Sequence, residues 1–351
     1  MKRKYRDFSF MADQKTGVSL ADVAQKAAVD PSTASRALAG DLNHRISEKT
    51  RKRVIEAARL LGYRPNPLAR GLRTARSNLL GIIVPQLDNP VYAQMIMGAE
   101  AAVREAGYAL LIMHVGEDES SMDAIDRLIG TSRVDGLLFS SLDDDVSLAP
   151  VLKHAGVPSV VLNRRVEGVS NCVSLDTYRA SKTAMEYLIK LGHTRIAHLA
   201  GRPGAAGAKD RMKGYRDALR TAGLKFDSNL VATAGYTAEG GEKAMDEVLR
   251  KAKNLPTAVF PVTLQAAAGA LKALRAHKLA VPRDMSIVTL HDSIMAEVLD
   301  PPITTVRLPA QRMGYVAAKG LIDLIEGRVQ QVFSVLEPLE LVTRSSAVPP
   351  R

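Results

Sequence analysis

The sequence predicts a small all-α head followed by a larger α/β core built from two doubly wound, parallel-sheet subdomains. Three observations carry that prediction. Residues 19–63 hold three short stretches with apolar side chains at helical spacing. From residue 78 onward, continuous apolar runs alternate with helical segments, the pattern of strands buried on both faces. The formal net charge of +11 is also unevenly spread: residues 1–76 hold 17 Lys/Arg against 7 Asp/Glu, whereas the other 275 residues hold 31 against 30.

The head begins after a basic tail, residues 1–17, which is expected to be disordered. In SLADVAQKAAV (19–29), Leu20, Val23, Ala24 and Ala27 share one face and Ser19 stands at the capping position. A short turn, Ala28–Val29–Asp30, leads into DPSTASRALAG (30–40). There Asp30 caps the helix start and Pro31 occupies the first helical position, where no N–H is needed. Ala34, Ala37 and Leu38 are left to pack behind, while Ser32, Thr33, Ser35 and Arg36 make a hydroxyl-rich, cationic side. The stretch ISEKTRKRVIEAARLLGY (46–63) gives a third helix, with Ser47 as cap, Val54, Ile55, Ala58 and Leu61 inward, and Gly62 as terminator. Two short helices on a tight turn, completed by a third, make a helix-turn-helix domain over 18–64, whose second helix enters a DNA major groove. Small residues let that helix come close. The local excess of positive charge fits a polyanion, because neutralising phosphates releases counterions. A membrane-surface helix would want aromatics and a broad apolar face, which residues 18–76 do not supply.

Residues 65–77 are expected to be a linker, which the family resemblance set out below turns into a hinge. The segment YRPNPLARGLRTARSN (63–78) carries Pro65, Pro67, Gly71 and four arginines, so on its own it discourages a stable helix; a plain linker is the alternative. In the core (78–345), LLGIIVPQL, YALLIMHV, VDGLLFSS and VPSVVLNR read as strands, separated by helices such as VYAQMIMGAEAAVREAG. The alternation resumes through helix TYRASKTAMEYLIKLG, strand RIAHLAG, helix DRMKGYRDALRTAG, strand AVFPV, helix QAAAGALKALRAH and strand SIVTLHD. Ten or so strands exceed one compact unit, and a break falls near Asn171–Asp176. The expected subdomains are 78–174 with 304–330, and 175–303 with 331–345. A ligand cleft is expected between them, at the strand C-terminal ends.

Several classes are disfavoured. No apolar run approaches the ~20 residues of a membrane span, and the N-terminus MKRKYRDFSFMADQ lacks a signal peptide's apolar stretch. The single cysteine, Cys172, forms no internal disulfide and fits a reducing cytoplasm. No HExxH or GxSxG occurs, and GRPGAAG (201–207) matches neither phosphate-binding glycine pattern, so it reads as a turn at the cleft. Asp143–Asp145 reads as a solvated loop, and His193 and His198, flanking a strand, as packing or hydrogen-bonding groups. No catalytic constellation, metal site or cofactor is expected. The cleft should bind rather than convert a small molecule.

The motifs together resemble the LacI/GalR family of bacterial repressors: VSLADVAQKAAVDPSTASRALAG, ISEKTRKRV and LGYRPNPLARGLRT, then LLGIIVPQLDNPVY, VDGLLFSS, LGHTRIAHLAG, RMKGYRDAL and PPITTVRLP, in order over residues 18–345. The resemblance implies a periplasmic-binding-protein-like core whose chain crosses between subdomains three times. It implies a cytoplasmic, nucleoid-associated homodimer bound to double-stranded operator DNA, and the tail FSVLEPLELVTRSSAVPPR adds no heptad that would make a tetramer. Pro31, Ser32 and Arg36 would read bases, Arg36 above all; Thr33 and Ser35 would position phosphates. Arg45 and Asn66 join the DNA-binding set, and Leu72 would wedge into the minor groove from a hinge helix that folds on DNA. Ala39 stands where the family commonly has Asn, and the loop Asp41–Arg45 is slightly longer than in some members.

By the same resemblance the effector cleft would use Asp88, Val91, Tyr92, Asn163, Arg164, Lys209, Arg211, His291 and Asp292, with the segment around Thr263–Leu264. Sugar-responsive relatives usually have Asn-Asp where this chain has Thr263–Leu264, and Gly-Phe-Asp-Asp where it reads Thr289–Leu290–His291–Asp292. Two carboxylates are thus replaced while Arg164, Lys209 and Arg211 remain. The resemblance implies that the effector is a sugar, sugar acid or other small metabolite. The substitutions point to an acidic or aromatic one, against the alternative of a sugar held by Asp88, Asn163 and Asp292. Two other functions stay open: control by a protein partner with a vestigial cleft, and a solute-binding protein.

Overall fold

The computed structural model describes residues 18–38, 46–63, 76–87, 89–115, 120–131, 133–140 and 148–351. The chain divides into two compact units, 1–77 and 78–351. In the first, α1 (Leu20–Lys26) opens with a capping box in which Ser19 and Asp22 satisfy each other's backbone amides. Ala28, at φ 48°, turns the chain, and Asp30 Oδ1 accepts the Ser32 amide at 2.7 Å to start α2 (Pro31–Leu38). Helix α3 (Glu48–Leu61) is capped by Ser47 and ended by Gly62 at φ 66°. A core of Val23, Ala24, Ala27, Ala34, Ala37, Val54, Ala57 and Ala58 holds the three together. Ile55, expected inward, is 49% exposed. Its neighbour Val54 takes the inner face with Ala57 and Ala58, three and four residues on, which leaves Ile55 about 100° round the helix.

The second unit holds two six-stranded sheets of matching design. The first contains β1 (Leu79–Val84), β2 (Ala109–His114), β3 (Gly136–Phe139), β4 (Ser159–Leu162), β5 (Cys172–Leu175) and β11 (Phe333–Leu336), in the order β11-β5-β4-β3-β1-β2, all parallel. The second contains β6 (Ile196–Ala200), β7 (Val231–Thr233), β8 (Ala258–Pro261), β9 (Ser286–Leu290), β10 (Thr304–Arg307) and β12 (Glu340–Val342), in the order β12-β10-β9-β8-β6-β7, with only β12 antiparallel. Strand by strand, β1 to β5 of one sheet correspond to β6 to β10 of the other.

Helices cover both faces, which is why the central strands read as unbroken apolar runs. On the first sheet, α4 (Pro90–Glu105) and α12 (Ala310–Ile325) lie opposite α5 (Ser121–Thr131) and α6 (Leu148–His154). On the second, α7 (Thr177–Lys190) and α8 (Ala206–Thr221) lie opposite α9 (Ala238–Lys251) and α10 (Leu264–Ala276), with the short α11 (Ile294–Val298) after β9. Helices α4 and α12 touch backbone to backbone: a Cβ on Gly98 would stand 1.8 Å from the Gln311 carbonyl oxygen, and one on Gly314 would stand 1.9 Å from that of Met95. None of the described helices is long and apolar enough to cross a membrane.

The strand pairing corrects the expected subdomain boundaries. Residues 304–307 form β10, which pairs with β9 in the second sheet rather than belonging to the first lobe. Residues 333–336 form β11, which pairs with β5 in the first sheet. The chain therefore crosses between lobes after β5, after β10 and between β11 and β12. The expected break near 171–176 contains β5, fully buried in the first sheet and followed at once by the first crossing.

Candidate functional site

In the head, the side of α2 opposite its buried Ala34 and Ala37 carries the sequence-derived contacts. Pro31, Ser32 and Arg36 are exposed, and Thr33 and Ser35 are half-buried against the neighbouring helices. Arg51, from α3, donates to the Ala37 carbonyl at 3.4 Å and ties the end of α2 to the bundle. The arrangement presents three hydroxyls and a guanidinium on one short helix, with no bulky side chain to hold a DNA groove away. Arg45, Asn66 and Leu72 lie outside the described residues, as do Ala39 and the loop after it.

In the core, the C-terminal ends of both sheets face one cleft, whose cavity measures about 60 Å3. From the first lobe come Asn89, Val91 and Tyr92 beyond β1, Ser140 after β3, and Leu162, Asn163 and Arg164 at the end of β4. From the second come Ala205, Gly207 and Arg211 beyond β6, Tyr236 after β7, Thr263 after β8, and His291 after β9.

Local structure explains these placements. Asn89 caps α4 through its Oδ1, which accepts the Val91 amide at 3.1 Å, and so aims the first turn into the cleft. Thr263 caps α10, its hydroxyl accepting the Ala266 amide at 3.2 Å. Asn163 and His291, both at φ 67°, end corresponding strands β4 and β9 on opposite sides of the cleft. Such left-handed backbone at non-glycine positions costs of order 1–3 kcal/mol and collects at ligand sites. Gly201 leaves room for the Tyr236 hydroxyl, which a Cβ there would meet at 2.7 Å.

The cleft is cationic and rich in donors. Arg164 and Arg211, one from each lobe, are only 9% and 5% exposed, and both act electrostatically on Tyr92. Burial raises the Tyr92 phenol above its ordinary range, so it stays a neutral hydroxyl. Burial, reinforced by the Arg211 charge, pushes His291 down to about 3 and keeps that ring neutral. Beneath the cleft, His198 is stacked between Tyr215 and Phe260 and pushed down to about 4, chiefly by burial. Two buried polar atoms facing the cleft lack partners: Nε of Arg211 and Oδ1 of Asn163.

Of the sequence-derived cleft residues, the structure brings together Val91, Tyr92, Asn163, Arg164, Arg211 and His291. Asp88 lies outside the described residues. Lys209 is exposed and does not line the cleft. Residues two apart on a helix point about 200° apart, so α8 turns Lys209 away when it turns Arg211 in, whereas Gly207 and Arg211, four apart, share a face. Asp292 is also placed elsewhere. Its carboxylate accepts from Thr305 Oγ1 at 2.7 Å, from Arg307 Nη2 at 2.7 Å and from Arg344 Nη1 at 2.7 Å. It is a strut between the β9 end, β10 and the C-terminal segment. Its backbone carbonyl accepts from Gln94 of α4 at 3.2 Å, a direct hydrogen bond between the lobes.

Sequence reasoning missed Asn89, Ser140, Leu162 and Tyr236 as lining, and placed Ala205 and Gly207 at the cleft only as part of the turn 201–207. Ser140 and Leu162 sit at strand C-termini, where a position rule alone would have found them. Tyr236 follows β7, a three-residue strand with no apolar run to announce it.

Comparison with known proteins places these features. Residues 19–66 match the family described as bacterial regulatory proteins, lacI family, and residues 185–347 match a periplasmic binding protein-like domain. The HTH-type transcriptional regulator CelR of Thermobifida fusca is 33% identical over 332 residues, covering 92% of this chain and 96% of that protein. The HTH-type transcriptional repressor CytR of Escherichia coli K12 is 33% identical over 337 residues, covering 95% and 97%. The lac repressor dimer bound to operator and an anti-inducer superposes with a TM-score of 0.81 at 26% identity, over 94% of this chain and 99% of that one.

Proposed function

The chain belongs to the lacI family of bacterial regulatory proteins, and on that premise we propose that it is a repressor whose hold on operator DNA is set by a small metabolite in the cleft between its lobes. It is a DNA-binding transcriptional regulator, not an enzyme. The observation that carries the reading is the division of chemistry. Nearly all the excess positive charge lies in the first 76 residues, around an α2 ridge of Ser32, Thr33, Ser35 and Arg36. The near-neutral remainder instead encloses a two-sided ligand site.

In this reading Arg36, with Pro31 and Ser32, reads base edges, Thr33 and Ser35 fix register on phosphates, and Arg45, Asn66 and Leu72 extend the contact toward the hinge. Two copies present two heads to a near-palindromic operator, as symmetry requires. One relative's structure is titled as a complex with cellobiose and another as carrying bound ribose, so a cleft ligand of metabolite size fits the family. The cleft's donors come from both lobes. A ligand touching both therefore favours one lobe spacing over others, and can shift DNA affinity only by its differential affinity for the two states, typically about 1–3 kcal/mol. The protein acts in the cytoplasm, at the nucleoid.

The test is retention of full-length protein on chromosomal duplex fragments against random competitor, across a salt series. Preferred fragments and an affinity falling steeply with salt are expected. Equal retention of all duplexes, with and without cell metabolites, refutes the reading.

A further inference from the structure

We propose that the outer face of α8 is a docking surface for a protein partner that presents acidic side chains, a role separate from the effector cleft and independent of what the cleft holds. Lys209, Lys213, Arg216 and Arg220 all lie on this helix, and all four are exposed. At about 100° per residue they fall within an arc of roughly 60°, and along the axis they span about 16 Å. Arg211, which lines the cleft, points about 180° away from the middle of that arc. The stripe therefore serves something outside the cleft. Charge is concentrated there: residues 202–226 hold 7 Lys/Arg against 2 Asp/Glu, although residues 77–351 as a whole hold 31 against 30.

Solvated helix faces elsewhere in this protein are built differently. Helix α9 pairs Glu239 with Lys243 and Glu247 with Lys251, α3 pairs Glu48 with Lys52, and α4 pairs Glu100 with Arg104. Opposite charges at that spacing support a helix, and like charges weaken it by a similar amount. On α8, cation follows cation from Lys209 to Lys213 to Arg216 to Arg220. Lys209 also stands near the positive end of the helix dipole, where a cation is disfavoured. Asp217 alone answers the stripe, reaching Arg220 at 2.8 Å and Lys213 at 3.8 Å with a side chain only 14% exposed. Lys209 and Arg216 meet no carboxylate among the described residues. An opposing acidic surface relieves this repulsion and gains electrostatic complementarity.

The surroundings favour protein over nucleic acid. Two aromatic rings flank the stripe, each beneath one of its cations: Lys213 Nζ lies 4.4 Å from the centre of the Tyr178 ring, and Arg216 Cζ lies 4.5 Å from that of Phe226, which is 42% exposed. Arginine and aromatic side chains are enriched in protein–protein interfaces. The exposed Asp210 beside Lys209 would repel phosphates, whereas a protein can set a cation against it.

The experiment uses the full-length protein with excess duplex DNA, so that the basic head is occupied. Fluorescence anisotropy follows a labelled helical peptide carrying four glutamates on one face, and the same peptide with glutamines. The glutamate peptide should bind at least about tenfold more tightly, with an affinity that falls as salt rises. Lys209→Gln combined with Arg216→Gln should weaken it by about 2- to 25-fold, the loss of two exposed ion pairs at about 1.4- to 5-fold each. Lys243→Gln, on α9, should leave it unchanged. Combining Lys209→Glu with Arg216→Glu should reverse the preference toward a lysine peptide, a gain that a folding defect cannot mimic. Equal binding of the glutamate and glutamine peptides, or an unchanged affinity in the glutamine double variant, overturns the proposal. Displacement of the peptide by further duplex would assign the stripe to nucleic acid, and salt-sensitive self-association lost in the double variant would assign it to a second copy; either result also overturns it.

Discussion

Replacing Asp292 by alanine tests whether this residue is a strut or a ligand acceptor. Its carboxylate holds Arg344, whose side chain is 10% exposed, and Arg307, 41% exposed, while being itself 7% exposed. Removing one partner of a buried pair costs about 3–5 kcal/mol, because the other charge is stranded. The lower end applies here: Arg307 keeps its contact with Glu340 and Arg344 keeps Glu297 at 3.4 Å. A loss of about 3 kcal/mol corresponds to a midpoint lower by roughly 6–12 °C in a thermal melt followed by circular dichroism. Burial by itself would raise the Asp292 carboxyl, but hydrogen bonds from Arg344, Arg307 and Thr305 outweigh it and hold the group below its ordinary value. Its contribution is therefore present above the unfolded carboxyl pKa of about 3.9 and lost as pH falls through the folded value, so wild type and variant should converge in acid. Affinity for the cleft ligand should change little. A destabilisation below about 1 kcal/mol, the worth of an exposed pair, with clearly weakened ligand binding, would put Asp292 back in the cleft and refute the reasoning.

Arg36→Ala should cost about 1–3 kcal/mol on the preferred operator and far less on random duplex, read by fluorescence anisotropy competition; equal losses on both would make Arg36 a phosphate contact. Gly98→Ala places a methyl 1.8 Å from the Gln311 carbonyl oxygen, so α4 and α12 must separate at a cost of about 1–3 kcal/mol or more in urea denaturation. His198 and His291 are held at about 4 and about 3, below the unfolded value. The unfolded chain consequently binds more protons, and stability falls as pH drops from about 6.5, by about 2 kcal/mol per histidine at pH 5. His198→Leu should flatten that slope in urea melts compared at pH 7 and pH 5, and an unchanged slope would show that this ring does not control it.

What could be read from sequence tracks what is local. The α2 ridge was legible because a cap, a first-turn proline and two small inward residues all lie within eight positions, from Asp30 to Ala37. Central strands such as β1 and β3 were legible because burial on both faces demands unbroken apolar runs. The edge strands β7 and β11 escaped, unlike the edge strand β2, whose apolar run was read. β11, from Phe333 to Leu336, is only half-buried and β7 only three residues long, so neither leaves a periodic mark. The exchange of β10 and β11 between lobes escaped for another reason: which sheet a strand joins is decided by its partners, for β11 the distant Cys172 and for β10 the preceding strand at Thr289, and not by its own residues. Within the cleft, residue type was informative and direction was not. His291 and Asp292 are adjacent, and Lys209 and Arg211 two apart, yet in each pair one side chain lines the cleft and the other leaves it.

That difference in direction matters for control as well as for affinity. A group can couple ligand to DNA only if its contact with the ligand depends on lobe spacing. Arg164 and Arg211 meet the condition together, since each is anchored in a different lobe and both line the cleft. The Asp292 carboxylate is taken up by Thr305, Arg307 and Arg344, while its backbone oxygen receives Gln94 from across the lobes at 3.2 Å, and its side chain grips β10 just before the second crossing. The same short segment, His291–Asp292, thus faces the ligand with one residue and the inter-lobe connection with the next. A ligand that draws His291 toward Tyr92 pulls on the strut that fixes β10. Linkage requires the converse: whatever lobe spacing operator DNA favours must alter ligand affinity by the same factor by which ligand alters DNA affinity. Loss of the Arg211 contact should therefore weaken binding and control together, whereas loss of Arg36 should weaken DNA binding alone.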